Sequence, residues 1–186
     1  DTAVNIATEC IDRLHTTAES HHRIMVVEVM GRYTGWIALE AGIAGGADTI
    51  LTPEFPINIQ AVCDLLRNRH KRGKTFSIIV VSQGAVLDTS SEKEVSNRFP
   101  PRNDLGHRRF DGIGEYLART IEQETGYETR VSVLGHIQRG GSPTAFDRIL
   151  GTRFGVKAVE LVAQNKFGKM VSLRSNKVTS VDIKEA

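Results

Sequence analysis

Short apolar runs alternate with longer amphipathic segments along most of the chain. The runs at 24–29 and 76–82 are almost continuously hydrophobic, which is typical of strands that are buried on both faces. Between the runs, apolar residues recur at helical spacing. The predicted strands cover residues 24–29, 48–52, 76–82, 130–135 and 169–174. The predicted helices cover residues 2–15, 36–44, 57–72, 111–125 and 143–163, with Ser142 as the cap of the last one and a further helix starting at 181.

The alternation of strands and helices predicts an α/β fold, a three-layer sandwich with a mostly parallel, Rossmann-like sheet. Ligands of such sheets bind beyond the carboxyl ends of the strands, so the residues that follow each apolar run are the first candidates for a site. The polar segment at about 86–108 breaks the periodicity and contains Pro100 and Pro101. We interpret it as an exposed loop or insertion.

Composition and charge restrict the classes of function. The chain has 186 residues, of which 40% are hydrophobic, and a formal net charge of +2. This near balance of charges does not favour a nucleic-acid partner, and no apolar window approaches the roughly 18 residues that span a membrane. Cys10 and Cys63 lack metal or redox spacing, and we expect reduced thiols in a cytoplasmic protein. Because the chain opens on Asp1 and runs directly into a helical pattern, we expect it to be a piece of a longer polypeptide.

The residues that follow the strands are mostly cationic or hydrogen-bonding, with few carboxylates. Arginine binds phosphate in a bidentate fork, histidine adds a second donor, and glycines let backbone N–H groups approach an anion. The set therefore suits an anionic, hydroxyl-rich ligand such as a sugar phosphate. It comprises Met30, Gly31 and Arg32 after the first strand, Gln83 after the third, and His136, Ile137, Gln138 and Arg139 after the fourth, with Arg23 and Arg130 at strand starts.

Each of these residues alone also has an ordinary structural interpretation. An arginine after a strand is commonly a surface residue, and a lone histidine in a loop is commonly a turn residue. Glu28, within the first strand, fits a structural ion-pair partner. The sequence has no GxxxxGK[ST] or GxGxxG nucleotide loop, no HExxH and no Ser-His-Asp arrangement. No residue among the strand ends is a convincing base for phosphoryl transfer.

Two long motifs resemble the signatures of the 6-phosphofructokinase family. They are "VVEVMGRYTGWIALEAGIAGGAD" at 26–48 and "VLGHIQRGGSPTAFDRILGTRFG" at 133–155, and further segments such as "DRLHTTAESH" and "FGKMVSLR" are most similar to the actinobacterial branch. The resemblance covers nearly the whole chain and implies a phosphofructokinase-like fold. It implies that residues 1–137 form most of a sugar-phosphate-binding lobe and that residues 138–186 form the returning, incomplete part of a nucleotide-binding lobe.

The resemblance implies a glycolytic reaction, phosphoryl transfer from ATP or pyrophosphate, with Mg²⁺, to the 1-hydroxyl of D-fructose 6-phosphate. The glycine-rich nucleotide loops and the catalytic base of the family lie upstream of Asp1, so we expect this chain alone to hold no donor or metal and to be inactive. Arg32 is a candidate for contact with the transition state. Two other interpretations stay open: a pyrophosphate-dependent relative, and a non-catalytic sugar-phosphate-binding module.

The resemblance also implies roles for single residues. The Met-Gly-Arg loop at 30–32 matches the loop that contacts the sugar, and His136 and Arg139 match the pair that holds its 6-phosphate. Arg23 and Arg130 match arginines that reach this phosphate from a neighbouring subunit. The resemblance therefore implies a homo-oligomer, usually a tetramer, because the phosphate site draws on two subunits.

Several positions depart from the family pattern. Gln83 stands where the family usually has a Glu that accepts from sugar hydroxyls, and its neutral amide also donates. A neutral hydrogen bond in place of a charge-assisted one weakens sugar binding by about 1 kcal/mol. Asp48, Arg72 and Lys74 match residues that bind a regulatory nucleotide and its metal, whereas His15 stands where some members have an Arg. This partial set leaves allosteric control open.

Overall fold

Residues 1–88 and 112–185 are described by a computed structural model of the chain. The segment expected to be an insertion, at about 86–108, lies almost entirely outside these residues. The internal contacts divide the chain into two compact units. The first unit is formed by residues 3–141, and the second by residues 1–2 together with 142–186.

A four-stranded sheet forms the centre of the unit 3–141. Its strands are β1 (Ile24–Val29), β2 (Thr49–Leu51), β3 (Ser77–Ser82) and β4 (Thr129–Val133). They lie in the order β2-β3-β1-β4, and every pairing is parallel. Parallel pairing requires a crossover between successive strands, and the intervening helices supply it. The α/β class and the parallel sheet predicted from the alternation are confirmed.

Four helices accompany this sheet in the described residues. They are α1 (Thr2–His21), α2 (Trp36–Ala44), α3 (Ile59–Lys71) and α4 (Ile113–Thr125). The helix α1 continues beyond its predicted end at residue 15, because Ala18 in the polar second half still packs into the core. The helix α3 begins at Asn58, whose side chain accepts a hydrogen bond from the Ala61 N–H at 2.8 Å and caps the helix.

Each face of the sheet has its own hydrophobic core, because successive side chains of a strand point to opposite faces. One core places Ile24 and Val26 against α3 and α4. The other places Met25, Val27 and Val29 against α1 and α2. Every residue of β1 and β3 is buried. The unit is therefore a three-layer sandwich of helices, sheet and helices, as the alternation predicted.

The second unit consists of a helix and a hairpin. Its elements are α5 (Ala145–Ala163), β5 (Lys169–Arg174), β6 (Lys177–Asp182) and a short 3₁₀ helix at Ile183–Glu185. The two strands pair antiparallel, with Arg174 opposite Lys177. Ser175 and Asn176 form the loop between them and have φ angles of 46° and 63°. Two successive left-handed residues are the mark of the type I′ turn, whose twist matches that of a hairpin.

Two predictions for this unit differ from the structure in detail. The helix expected from 181 is the end of β6 followed by a 3₁₀ turn of three residues, because 177–182 pairs along its whole length with β5. The cap of α5 is Thr144 rather than Ser142, and its side chain accepts from the Asp147 N–H at 3.4 Å. Thr144 has an extended backbone, with a φ of −63° and a ψ of 165°, so the helix begins after it, at Ala145.

Candidate functional site

Three loops meet at one edge of the four-stranded sheet, which we call the carboxyl edge. β1 lies between β3 and β4 and runs parallel to both, so the loops that follow these three strands are neighbours. Residues 30–35 follow β1, residues 83–85 follow β3, and a 3₁₀ turn at Gly135–Arg139 follows β4. All predicted sugar-phosphate contacts other than Arg23 and Arg130 lie in these loops.

The loops after β1 and β3 are held together by backbone and hydroxyl groups. The Gly31 carbonyl accepts from the Gly84 N–H at 2.8 Å and from the Ser82 hydroxyl at 2.7 Å. A Cβ atom on Gly84 would lie only 1.9 Å from the carbonyl oxygen of Arg32. Position 84 therefore accepts only glycine without moving the loop that carries Arg32, since backbone atoms stand in the way.

The loops after β1 and β4 are joined by a buried side chain. The Leu134 N–H donates to the Glu28 carbonyl at 3.0 Å and ends the backbone ladder between the two strands. Beyond it, the Met30 N–H donates to Oε1 of Gln138 at 3.3 Å. The Nε2 group of Gln138 donates to the Gly135 carbonyl at 3.1 Å, and the residue is only 1% exposed. Gln138 therefore belongs to the base of the site.

Exposed side chains project from this hydrogen-bonded base. They belong to Arg32, Gln83, His136 and Arg139, while Met30 is half-buried. Within residues 1–88 and 112–185, none of the four exposed side chains forms a hydrogen bond or an ion pair, although the Arg32 guanidinium carbon lies 5.4 Å from the centre of the Tyr33 ring. Free guanidinium and imidazole groups at one edge can bind an anionic group of a ligand.

The two remaining predicted phosphate contacts, Arg23 and Arg130, lie at the opposite edge of the sheet, which we call the amino edge. Arg23 directly precedes β1, and Arg130 stands near the start of β4, opposite Met25. Both bind Glu128, at 2.8 Å from Arg23 and 2.5 Å from Arg130. The hydrogen bond from Arg23, with the charge of Arg130 in addition, holds the pKa of Glu128 below its usual value.

The two edges are too far apart for one chain to bring all the arginines to one phosphate group. A strand rises about 3.3 Å per residue, so β1 separates the amino edge from the carboxyl edge by roughly 17 Å. The structure therefore brings the predicted contacts together in two groups. The larger group includes His136 and Arg139, and the smaller one is the pair of arginines on Glu128.

Comparison with known proteins identifies the family. The phosphofructokinase family model matches residues 1–162. The chain belongs to the phosphofructokinase family. It is 53% identical to an ATP-dependent 6-phosphofructokinase of Synechocystis sp. and 52% identical to a pyrophosphate–fructose 6-phosphate 1-phosphotransferase of Amycolatopsis mediterranei, an actinobacterial relative. Both alignments cover the whole chain, but 50% and 53% of the relatives, so the chain spans about half the length of the curated relatives it matches.

Solved phosphofructokinases share the fold of this phosphofructokinase chain. The structure of phosphofructokinase from Saccharomyces cerevisiae superposes with a TM-score of 0.80 at 33% identity, over 98% of this chain and 22% of the yeast chain. The likeness extends across both compact units, since 98% of the residues are covered. The expectation of a phosphofructokinase-like fold is confirmed.

The predicted effector residues of this phosphofructokinase chain are not gathered in one cluster by any described contact. Asp48 has both carboxylate oxygens engaged: Arg69 binds Oδ1 at 2.6 Å, and the Ile78 N–H donates to Oδ2 at 2.9 Å. Arg72 and Lys74 are exposed at the end of α3. Asp48 thus links the start of β2 to β3 and α3, and effector binding by these residues stays a prediction.

His15 has a local structural partner as well. Its Nε2 atom lies 2.6 Å from the Gly45 carbonyl, and its ring meets Phe76 edge to face at 5.9 Å between centroids. The imidazole therefore joins α1 to the end of α2. These two contacts give the His15 side chain a structural role within the unit 3–141.

Cysteines, metals and membranes add little to the site. Cys10 and Cys63 are free thiols, and burial raises the pKa of Cys63. Among the described residues, no group of three His, Cys, Asp or Glu side chains is placed to hold a metal ion. None of the described helices is both long and apolar enough to cross a membrane.

Three residues of the site received no individual role from the sequence. Ser82 and Gly84 fix the loop after β1, and Glu128 joins the two arginines of the amino edge. The "SQG" that ends the third apolar run was a signal for the first two, because small residues allow close approach of loops. Glu128 lies two positions before Arg130, on the same side of an extended chain, but nothing local pointed to Arg23 as its second partner.

Proposed function

We propose that this chain is the fructose 6-phosphate-binding part of a 6-phosphofructokinase, an enzyme of glycolysis that phosphorylates the 1-hydroxyl of the sugar. The observation that supports this most directly is the convergence of three strand-end loops, in a chain of the phosphofructokinase family, that carry cationic side chains and the Gln83 side-chain amide without hydrogen-bond partners among the described residues. In this proposal the unit 3–141 supplies the sugar-phosphate lobe. Residues from 142 onward belong to the nucleotide lobe of a cytoplasmic enzyme.

In this proposal the exposed side chains bind different parts of the sugar phosphate. Arg139 offers a planar fork of donors to the 6-phosphate, and His136 adds a further donor. Gln83 accepts from a sugar hydroxyl through its carbonyl oxygen, as a neutral group. Arg32, on the loop after β1, offers its guanidinium to the charge that develops on the transferring phosphoryl group. Binding and orientation are therefore the contribution of this chain, since phosphoryl transfer depends mostly on position and charge.

The donor is ATP or pyrophosphate, and the relatives support both. Similar identities, 53% and 52%, connect the chain to an ATP-dependent and a pyrophosphate-dependent relative. Mg²⁺, bound with the donor, would neutralise the charge that develops on the transferring group. Following the family resemblance, we place the donor and its metal on parts of the enzyme outside the described residues. A donor assay of the full-length protein, with each donor alone, separates the two activities.

The arginine pair on Glu128 supports a shared site in a homo-oligomer, with a tetramer as the proposed state. Arg23 and Arg130 lie roughly 17 Å from the carboxyl edge of their own chain, so they serve the 6-phosphate of a second copy. Regulation through Asp48, Arg72 and Lys74 is a further part of the proposal. Metal binding there requires Asp48 to exchange its bond with Arg69 or with the Ile78 N–H.

Substitution of Arg139 tests the sugar-phosphate site. Arg139→Ala in the full-length protein is expected to weaken binding of fructose 6-phosphate by about 2–3 kcal/mol, the range for charge-assisted hydrogen bonds. Calorimetric titration measures the effect. The matched control is Arg119→Ala, which removes an exposed arginine of α4 that pairs with Glu115 at 2.9 Å. A loss below about 1 kcal/mol at Arg139 in the assembled protein contradicts its role. Binding of the sugar without phosphoryl transfer by the wild type indicates a non-catalytic module.

Mixing of inactive variants tests the shared site. Arg139→Ala damages the carboxyl edge and Arg130→Ala the amino edge, so each homo-oligomer has only damaged sites. A hybrid assembly contains some sites built from two intact edges. Activity is therefore expected to return when the two variants are dissociated and reassembled together. Absence of recovery, with hybrids present by mass spectrometry, places both arginines in the site of one chain and contradicts the shared site.

A further inference from the structure

Gln138 has an unusual place within the turn that carries His136 and Arg139. It is the buried residue of the 3₁₀ turn Gly135–Arg139, at 1% exposure, while its neighbour Ile137 is 65% exposed. The turn thus presents an apolar side chain to solvent and withdraws an amide into the protein. Burial of an amide is unfavourable unless its donors and acceptor find partners, so the arrangement needs a specific reason.

Both ends of the Gln138 amide have backbone partners. Oε1 accepts from the Met30 N–H, and Nε2 donates to the Gly135 carbonyl. The opposite orientation of the amide would set a donor against the Met30 N–H and an acceptor against the Gly135 carbonyl, so the hydrogen-bond pattern itself decides the orientation. Because its oxygen and its nitrogen are both bonded to backbone groups, the Gln138 amide is poorly placed to bind a ligand directly.

The bond to Met30 extends the strand pairing past the point where the two backbones separate. The backbone ladder between β1 and β4 ends at the bond from Leu134 to Glu28. The next N–H of β1 that faces this side is that of Met30, and the acceptor it finds is a side chain from 108 positions along the chain. Gln138 therefore takes the place of a backbone carbonyl and ties the first residue of the Met-Gly-Arg loop to the His-x-x-Arg turn.

We propose that Gln138 is a positioning residue that sets the distance between the loop contacting the sugar and the turn holding its 6-phosphate. The inference rests on the proposed function. One bound sugar phosphate must reach Arg32 on one loop and Arg139 on the other, so the relative position of the loops decides whether both contacts form. Displacement of a reacting or binding group by about 1 Å can reduce a rate by about 100-fold.

Two variants of the full-length protein separate positioning from direct contact. Gln138→Met preserves length and removes both hydrogen bonds, whereas Gln138→Glu preserves an acceptor for the Met30 N–H. We expect kcat/KM for fructose 6-phosphate to fall about 10- to 100-fold in Gln138→Met, with KM for the phosphoryl donor unchanged. Gln138→Glu is expected to recover part of the loss. The control is Asn58→Ala, which removes another amide-to-backbone bond, at the start of α3, and is expected to leave both KM values unchanged.

Hydrogen exchange reports the tie itself, independently of activity. Exchange of the Met30 amide, resolved by mass spectrometry, is expected to accelerate at least 10-fold in Gln138→Met and to stay slow in Gln138→Glu. The amide of Met25, within β1, is the internal reference and is expected to stay slow in both variants. If Gln138→Met does not fold, the result for Gln138→Glu is used instead. A protected Met30 amide together with a KM for fructose 6-phosphate near the wild-type value supports the proposal. A large rise in this KM while the Met30 amide is still protected overturns it.

The outcomes distinguish this inference from the proposed function. A wild-type protein that neither binds nor phosphorylates fructose 6-phosphate removes the proposed function, whatever the exchange data show. A wild type that is active, with KM for the sugar within twofold of wild type in Gln138→Met, overturns the positioning role alone. If Gln138→Met raises KM equally for the sugar and for the donor, and also accelerates exchange of the Met25 amide, the variant is destabilised as a whole. That outcome also overturns the positioning role.

Discussion

The two compact units differ in how far they bury their apolar residues. In the unit 3–141, α4 is a helix of 13 residues that buries seven of them, whereas α5, with 19 residues, buries only Leu161. Every residue of β1 and β3 is buried, and no residue of β5 or β6 is. Five large apolar residues of α5 are exposed to solvent: Phe146, Ile149, Val156, Val159 and Val162. A helix that is apolar on several sides is normally buried, so the described residues leave the surface of α5 without the layers that its sequence requires.

The largest expected contrast comes from truncating one apolar side chain in each unit. Ile79 in β3 is fully buried, and Ile79→Ala is expected to lower the free energy of unfolding of the 186-residue chain by about 2–5 kcal/mol. Val159 in α5 is 69% exposed, and Val159→Ala is expected to change it by less than about 0.5 kcal/mol. Urea denaturation of both variants measures the difference. Equal losses contradict the contrast and indicate that α5 is covered.

Glycine substitutions are expected to act in opposite directions in the two units. Gly84→Ala puts a Cβ 1.9 Å from the Arg32 carbonyl oxygen, so we expect a destabilisation of about 1–3 kcal/mol. A Cβ on Gly155, inside α5, meets nothing within 4 Å. Because alanine costs less backbone entropy in a helix, Gly155→Ala is expected to stabilise the chain by about 0.5–1 kcal/mol. Thermal unfolding measures both, and a stabilising Gly84→Ala would contradict the tight loop contact.

Of the three comparisons, lowering the pH is expected to change the free energy of unfolding least, and by a similar amount in each unit. The hydrogen bond from Arg23 lowers the pKa of Glu128, and the hydrogen bond from Lys169 lowers the pKa of Asp182. A carboxylate whose folded pKa is depressed stabilises the fold fully above its ordinary value, which is 4.5 for Glu128, and the stabilisation disappears as the pH falls through the lower folded value. Stability is therefore expected to decline below pH 4.5 for Glu128.

Glu128→Gln tests that assignment. It is expected to flatten the decline of the unfolding free energy between about pH 5 and 3, because the neutral amide no longer exchanges a proton. The control is Glu40→Gln, at an exposed position of α2. An unchanged pH profile in Glu128→Gln, with the decline intact, assigns the acid sensitivity to other carboxylates.

The fold was predictable where local pattern and tertiary structure agree. The strand at 24–29 and the helix at 36–44 have the bounds that the apolar run and the glycine stop indicated. The strand β6 was missed because its turn uses Ser175 and Asn176, without the glycine that usually announces a type I′ turn. The cap at Thr144 was missed because Ser142 and Thr144 are both residue types that cap helices, and the sequence does not choose between them.

The sequence predicted where the candidate residues lie in the sheet better than it predicted the contacts that hold them there. Parallel strands bring their carboxyl ends to one edge, and this rule predicts His136 and Arg139 beside the Met-Gly-Arg loop. The burial of Gln138 depends on a 3₁₀ turn and on a partner 108 positions away, which no local pattern encodes. The proposed role of Arg23 and Arg130 as contacts to a neighbouring subunit rests on the family resemblance, whereas their shared carboxylate is seen in the structure.

The placement of arginines at two edges makes the proposed site depend on protein concentration. In the proposed assembly, a chain that carries His136 and Arg139 at one edge and the Glu128-bound arginines at the other contains the halves of two sites. Complete sites then appear only as copies associate, so dilution lowers the number of functional sites as well as the amount of protein. Specific activity of such an enzyme falls on dilution, and the sugar phosphate, by bridging two copies, opposes the dissociation.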